Sequence, residues 1–208
     1  MLRHMFVSHY AISMSAKIGA NYAGGLILTH GAGSNAQAPL LMEVDAAFSA
    51  AGFLVVRYDL PFRQMRPSGP PSPAAAAADR AGLREQVVRM RELIDAPMFL
   101  SGHSYGGRQA TILAAEEPGL VEKLLLFSYP LHPPGKPTQL RTTHFPALQT
   151  PAVFVHGTKD DFGTPDEMRS ALALIPAPTE LILADGAGHD LKKGRTQALN
   201  SVLKAMKP

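Results

Sequence analysis

Short, almost wholly apolar runs alternate along this chain with longer stretches of helical period. Residues 25–30 (GLILTH), 53–58 (FLVVRY), 97–100 (PMFL), 121–127 (VEKLLLF), 152–156 (AVFVH) and 181–184 (LILA) read as strands. Each is apolar at successive positions, so both of its faces are expected to be covered. That is the signature of a parallel sheet buried between crossover helices. Residues 7–13 read as a further strand at one edge.

The helices announce their ends. Ser34 stands before a periodic stretch containing Leu40, Leu41, Val44, Ala47 and Phe48, and Gly52 closes it. Ser72-Pro73 opens a long alanine-rich helix, with serine as cap and proline at the first helical position. Thr164 and Glu167 have the spacing of a capping box, and the last helix is expected at 194–205. This alternation predicts an α/β fold: a three-layer α/β/α sandwich around a mostly parallel sheet, as a single domain over residues 1–208, with 1–23 as an N-terminal extension. Two proline-rich stretches interrupt the pattern. One, at 66–73, joins a strand to the long helix; the other, at 129–151, reads as a loop with at most one short helix. Long loops of this kind serve either as binding elements or as stiff connections.

Composition narrows the field by exclusion. The chain has 208 residues, 46% apolar and 18% charged, with a net charge of +3 and no cysteine. Disulfides, a thiolate nucleophile and cysteine-ligated zinc are therefore out. The basic residues are scattered, which argues against a nucleic-acid partner. No apolar run is long enough to span a membrane, and the first segment makes a poor signal peptide, so the expected location is cytoplasmic with no membrane partner.

Chemistry enters at residues 99–110, FLSGHSYGGRQA. Gly102-His103-Ser104-Tyr105-Gly106 fits G-x-S-x-G, with an apolar strand leading in and a helical pattern leading out. That context describes a strand turning directly into a helix, with the serine held outward on the corner over the helix N-terminus. A serine hydroxyl needs a base, and the base needs an orienting carboxylate. In such folds the acid and then the histidine follow the serine along the chain. His132, His144, His156 and His189 follow Ser104. His189, in a glycine-containing loop after the last strand, is best placed as base. The acid is expected after the preceding strand. Asp160 is favoured by its spacing from Gly157, while neighbouring Asp161 has a claim by its spacing from Pro165. The oxyanion donors are expected to be the backbone N–H groups of Tyr105 and of Ala32, in the glycine-rich loop that follows the first strand. That loop lacks the full pattern of a phosphate-binding motif. No metal or organic cofactor is called for.

Taken together, THGAGS, RYDLPFR, SGHSYGGR, YPLHPPGKP and HGTKDDFGTP resemble the α/β-hydrolase superfamily over roughly residues 24–205. More narrowly, they resemble a small family of predicted hydrolases. It includes the testis-expressed α/β-hydrolase-like proteins and the hydrolase-like domain of a histone-acetyltransferase-complex subunit. Dienelactone-hydrolase-like enzymes are broader neighbours. The resemblance implies a serine-hydrolase fold with Ser104, Asp160 and His189 as triad, and no established substrate. The chain has no insertion long enough for a large helical cap, which suggests a shallow site for a small ester or acyl compound.

His30, Arg57, Arg108 and His132 are further candidates to contact substrate. Arg57, Tyr58, Asp59 and Arg63 near a strand end, with Arg108, would either bind an acidic substrate or tie loops together by ion pairs. Two functions remain open: a small serine hydrolase, or a non-catalytic scaffold or binding protein on the same fold. Monomer and homodimer are both compatible with the sequence.

Overall fold

Six parallel strands make the sheet in the computed structural model, which describes residues 21–205. They are β1 (Gly24–Thr29), β2 (Phe53–Tyr58), β3 (Met98–His103), β4 (Lys123–Phe127), β5 (Ala152–Gly157) and β6 (Thr179–Ala184). The helices are α1 (Pro39–Ala50), α2 (Pro61–Met65), α3 (Ala75–Leu93), α4 (Tyr105–Glu116), α5 (Pro165–Leu172) and α6 (Arg195–Ala205). The strand expected at 7–13 lies outside the described residues.

Side chains along each strand alternate between the two faces. Leu26, Leu28, Val55 and Phe127 pack with α1 and α6 on one side. Ile27, Val56, Leu100 and Phe154 pack on the other, with α3, α4 and α5. Burying each such side chain stabilises the fold by about 1.5–3 kcal/mol, which is why these runs are apolar throughout. The edge strand β6 departs from this, with Glu180 exposed and Leu181 and Ile182 half-buried.

Strand order is β2-β1-β3-β4-β5-β6. The chain leaves β1 toward one edge and, from β3 onward, builds toward the other. The carboxyl ends of β1 and β3 therefore flank the point where the winding reverses, the place where open α/β sheets leave a crevice.

Three elements begin where the sequence signals do not put them. Helix α1 starts at Pro39 with Ala38 as an uncapped N-cap, not at Ser34. Residues 31–38 are instead held in turns: Ser34 N–H donates to the Gly31 carbonyl, and Ala36 N–H donates to Asp59 at 2.7 Å. Helix α3 begins at Ala75, and the Ser72 carbonyl accepts from its N–H in a preliminary turn. Helix α2, with proline in its first turn, is too short to show periodicity in sequence. The capping box at Thr164 and Glu167 forms, with both reciprocal bonds present. The 129–151 segment is irregular except for one 3-10 turn, Phe145–Ala147, yet Tyr129, Leu131, Phe145 and Leu148 anchor it in the core.

Candidate active site

Ser104 sits between β3 and α4 at φ 50° and ψ −115°, a conformation that L-residues rarely adopt. Two hydrogen bonds hold it there. Its N–H donates to the Phe127 carbonyl at 2.9 Å, and its carbonyl accepts from the Arg108 N–H. The corner closes only because of glycine. A Cβ at Gly102 would lie 2.5 Å from the backbone of Gly106, and one at Gly106 would lie 2.5 Å from the His30 carbonyl oxygen. Strand, helix and the β1 loop thus pack backbone against backbone beneath the hydroxyl.

The loops after β5 and β6 meet this corner. His189 Nε2 lies 2.8 Å from Ser104 Oγ. Its Nδ1 lies 2.9 and 3.0 Å from the two Asp160 carboxylate oxygens. A carboxylate only accepts, so Nδ1 carries the proton and Nε2 is free to accept from the serine. The Asp160 side chain is 0% exposed and that of His189 is 24% exposed. Asp160 also accepts from the Phe162 N–H at 2.9 Å, and Lys159 N–H donates to the Ala187 carbonyl, tying the two loops together. Asp161 is exposed.

Two rings frame the imidazole. Phe162 stacks on it with centroids 4.0 Å apart, and His103 lies at 5.3 Å. His103 Nε2 donates to the His189 carbonyl at 2.9 Å, and burial holds its pKa down to about 4, so it stays neutral. Neither role has a sequence signal, because Phe162 and His103 reach His189 only through the meeting of separate loops.

The N–H groups of Ala32 and Tyr105 have no acceptor among the described residues, and both residues line the cavity in front of Ser104. The loop carrying Ala32 is gripped by Arg63, which donates to the carbonyls of Ala32, Ser34, Arg66 and Gly69. On the other flank, the Tyr105 hydroxyl donates to Asp79 at 2.7 Å, and Asp79 also accepts from the Phe62 N–H. Asp79 is fully buried. Its presence on the face of α3 that also carries Leu83, Val87 and Met90 is a signal the sequence does contain: one acid in an apolar stripe needs a partner.

Other sequence candidates do not reach the cavity. His30 is fully buried; its Nδ1 donates to the Gly31 carbonyl and its Nε2 accepts from the Leu60 N–H, so it braces loops. Arg57 pairs with Asp45 at 2.9 Å, both side chains being 8% exposed, and caps the Ala36 carbonyl. Together with Asp59 and Arg63 it forms a loop-holding network. His132 is buried, donating from Nδ1 to the Pro133 carbonyl and facing Glu167 from Nε2. His156 is fully buried against the Gly163 carbonyl at 2.7 Å, behind the Asp160 turn. Arg108 does line the cavity, and with it Arg141, which the aperiodic loop gave no reason to single out. The cavity is about 420 Å³. No group of three or more metal-ligating side chains occurs among the described residues, and no described helix is long and apolar enough to cross a membrane.

The buried histidines make stability depend on pH. Burial lowers the pKa of His30 and His156, and pushes those of His103 and His144 to about 4. Free in the unfolded chain, each titrates near 6.5. Between these values the unfolded state binds more protons, so stability falls as pH drops from about 6.5 toward 4, and each such group contributes at most about 1.4 kcal/mol per pH unit. Thermal unfolding across pH 4–7.5 is expected to show the midpoint dropping steeply below about pH 6.5. A flat profile there would mean that these imidazoles become protonated without cost.

Residues 23–206 match the alpha/beta hydrolase domain family. Among solved structures, the fold is similar to that of an alpha-beta serine hydrolase homologue from Coxiella burnetii, with TM-score 0.72, 16% identity, and 91% of this chain and 88% of that one covered. It is similar to Est1E from Butyrivibrio proteoclasticus with ferulic acid bound, with TM-score 0.74, 13% identity and 90% of each chain covered. A dienelactone hydrolase from Anabaena variabilis aligns with TM-score 0.67, 20% identity, and 95% and 94% covered. At these identities the likeness is one of fold.

Proposed function

Since the chain belongs to the alpha/beta hydrolase domain family, we propose that it is a serine hydrolase acting on carboxylic esters or related small acyl compounds. One observation carries the reading: the unbroken line of hydrogen-bonding atoms from Ser104 Oγ through His189 to a fully buried Asp160. Such a line is what converts a weak alcohol into a nucleophile near neutral pH. Within the superfamily we read the chain as a member of the small hydrolase-like family with testis-expressed members, on its motifs THGAGS, SGHSYGGR and HGTKDDFGTP.

On this reading Ser104 Oγ attacks the ester carbonyl carbon while His189 Nε2 takes its proton. The Asp160 carboxylate steadies the imidazolium that forms. The carbonyl oxygen becomes an oxyanion held by the N–H groups of Ala32 and Tyr105, each such donor typically supplying about 3 kcal/mol. As the intermediate collapses, the bond to the alkoxy oxygen breaks and the alcohol leaves with the proton from Nε2. Water then attacks the acyl-enzyme, giving its proton to Nε2, and the carboxylic acid departs as Ser104 regains its hydrogen. The strain at Ser104 and the position of the α4 N-terminus support the same reading, since both favour a fixed hydroxyl and a developing negative charge.

The test is labelling of the purified protein by a fluorophosphonate probe beside Ser104→Ala and His189→Ala. Rapid labelling that needs both residues is the expected result. A folded protein that reacts no faster than free serine would overturn the reading in favour of a binding protein on this scaffold.

A further inference from the structure

The arginines near the site fall into two groups. Arg57 is neutralised by Asp45, and Arg63 spends its guanidinium on four backbone carbonyls. Arg108 and Arg141 are different. Both line the cavity in front of Ser104, and neither has an ion-pair partner among the described residues. Arg108 Nε is buried with no hydrogen-bond partner among the described residues. Arg141 makes one long side-chain bond, from Nη1 to the Pro130 carbonyl at 3.3 Å. None of the residues lining the cavity carries a carboxylate, and the nearby Asp160 is fully buried and committed to His189.

Two like charges sharing a partly dry cavity are costly without a counter-ion. Burial and the field of Arg108 both act against the charge on Arg141, and the same two influences hold His144 down to about 4. Yet the arrangement is built firmly. Arg108 sits on the first turns of α4, bonded by its N–H to the Ser104 carbonyl. The Arg141 N–H donates to the Leu131 carbonyl, and its carbonyl accepts from the buried Tyr129 hydroxyl at 2.6 Å. Both charges are thus held in place beside the nucleophile by backbone anchors and matched by no carboxylate among the described residues.

We infer that Arg108 and Arg141 form an anion-binding subsite, and that the substrates of this enzyme are small esters carrying a carboxylate close to the scissile bond. This rests on the serine-hydrolase reading above and names its substrate class. Guanidinium groups suit the task because they stay charged and can grip a carboxylate through paired N–H donors. A cavity of about 420 Å³ is large enough for a short diacid monoester.

The experiment compares mono-p-nitrophenyl succinate with p-nitrophenyl butyrate, and 4-butyryloxybenzoate with phenyl butyrate. The first pair puts the carboxylate on the acyl half, the second on the departing alcohol. The intact protein, Arg108→Gln and Arg141→Gln are each assayed and each labelled with fluorophosphonate. In at least one pair kcat/KM is expected to favour the anionic ester about tenfold or more, and each glutamine variant is expected to cut that ratio by about tenfold. The ratio, unlike the rate, does not move with a general loss of folded enzyme. Should a glutamine variant fail to label, Arg108→Lys and Arg141→Lys replace it, and a ratio between those of wild type and an uncharged site is expected. Labelled, active enzyme with no preference in either pair, or a preference indifferent to both arginines, overturns the subsite. Absence of labelling in the intact protein overturns the hydrolase reading itself, and the two failures are told apart by that one measurement.

Discussion

Ser104→Ala is expected to abolish fluorophosphonate labelling and to lower esterase kcat/KM by about 10³-fold or more. The residual rate would come from the oxyanion donors and binding alone, since neither depends on the hydroxyl. The fold should survive the change. Among the described residues the Ser104 side chain makes one bond, to His189, while the corner itself is fixed by the bonds of the Ser104 N–H and carbonyl groups and by the glycine contacts beneath it. A companion substitution separates chemistry from conformation. At φ 50° any L-residue is strained, so Ser104→Gly is expected to be more stable than Ser104→Ala by about 1 kcal/mol, strain relief outweighing the added chain entropy of glycine. Both variants should lose labelling and keep only that residual rate. If Ser104→Gly proved no more stable, the corner would not be strained, and the argument that strain presents the hydroxyl would fail with it.

The parts of the site that the sequence displays are those made by local pattern. The G-x-S-x-G corner, the glycine-rich loop after β1 and the Asp160 turn each lie within a few residues of a strand end, so chain order alone distributes them along one edge of the sheet. What the sequence hides is made by loops meeting at long range. Phe162 stacks on His189 and His103 bonds its carbonyl, but nothing in the residues around either one records the partner. Arg141 is hidden more deeply, because its position depends on how the 129–151 segment crosses the molecule, and that path is set by the burial of Tyr129, Leu131 and Phe145 rather than by any period. The pairing of Arg57 is hidden for the converse reason: Asp45, which neutralises it, lies on the neighbouring helix, and the pairing requires the α1–β2 packing to be known. Helix starts such as Ser34 mislead in the same way. A good cap residue is only an opportunity, and here the backbone that would have been capped is held in turns and gripped by Arg63.

The choice between the two adjacent acids is where sequence and structure can be tested most directly against each other. Asp160→Asn is expected to lower kcat by about 10⁴-fold, as loss of the orienting carboxylate does in comparable triads. Both carboxylate oxygens face His189 Nδ1, at 2.9 and 3.0 Å, and one of them also accepts from the Phe162 N–H. An asparagine can keep its carbonyl on the Phe162 side, which brings its NH₂ group against Nδ1. With the NH₂ in the nearer position, at 2.9 Å, the imidazole is drawn to offer a lone pair at Nδ1 and carry its hydrogen on Nε2, where it can no longer take the proton of Ser104. The amide could turn over instead, but the Phe162 N–H would then face a donor in a fully buried site. Either way the neutral residue fails where the charged one succeeds, and the loss should appear in kcat more than in KM. Asp161→Asn is expected to stay within about twofold of the parent, because Asp161 is exposed and has no part in these bonds. Measured side by side on one ester, the two variants should differ by at least about a thousandfold. The reverse order would mean that the Asp160 turn rearranges in solution to bring Asp161 to the histidine, and the assignment of the acid would pass to Asp161.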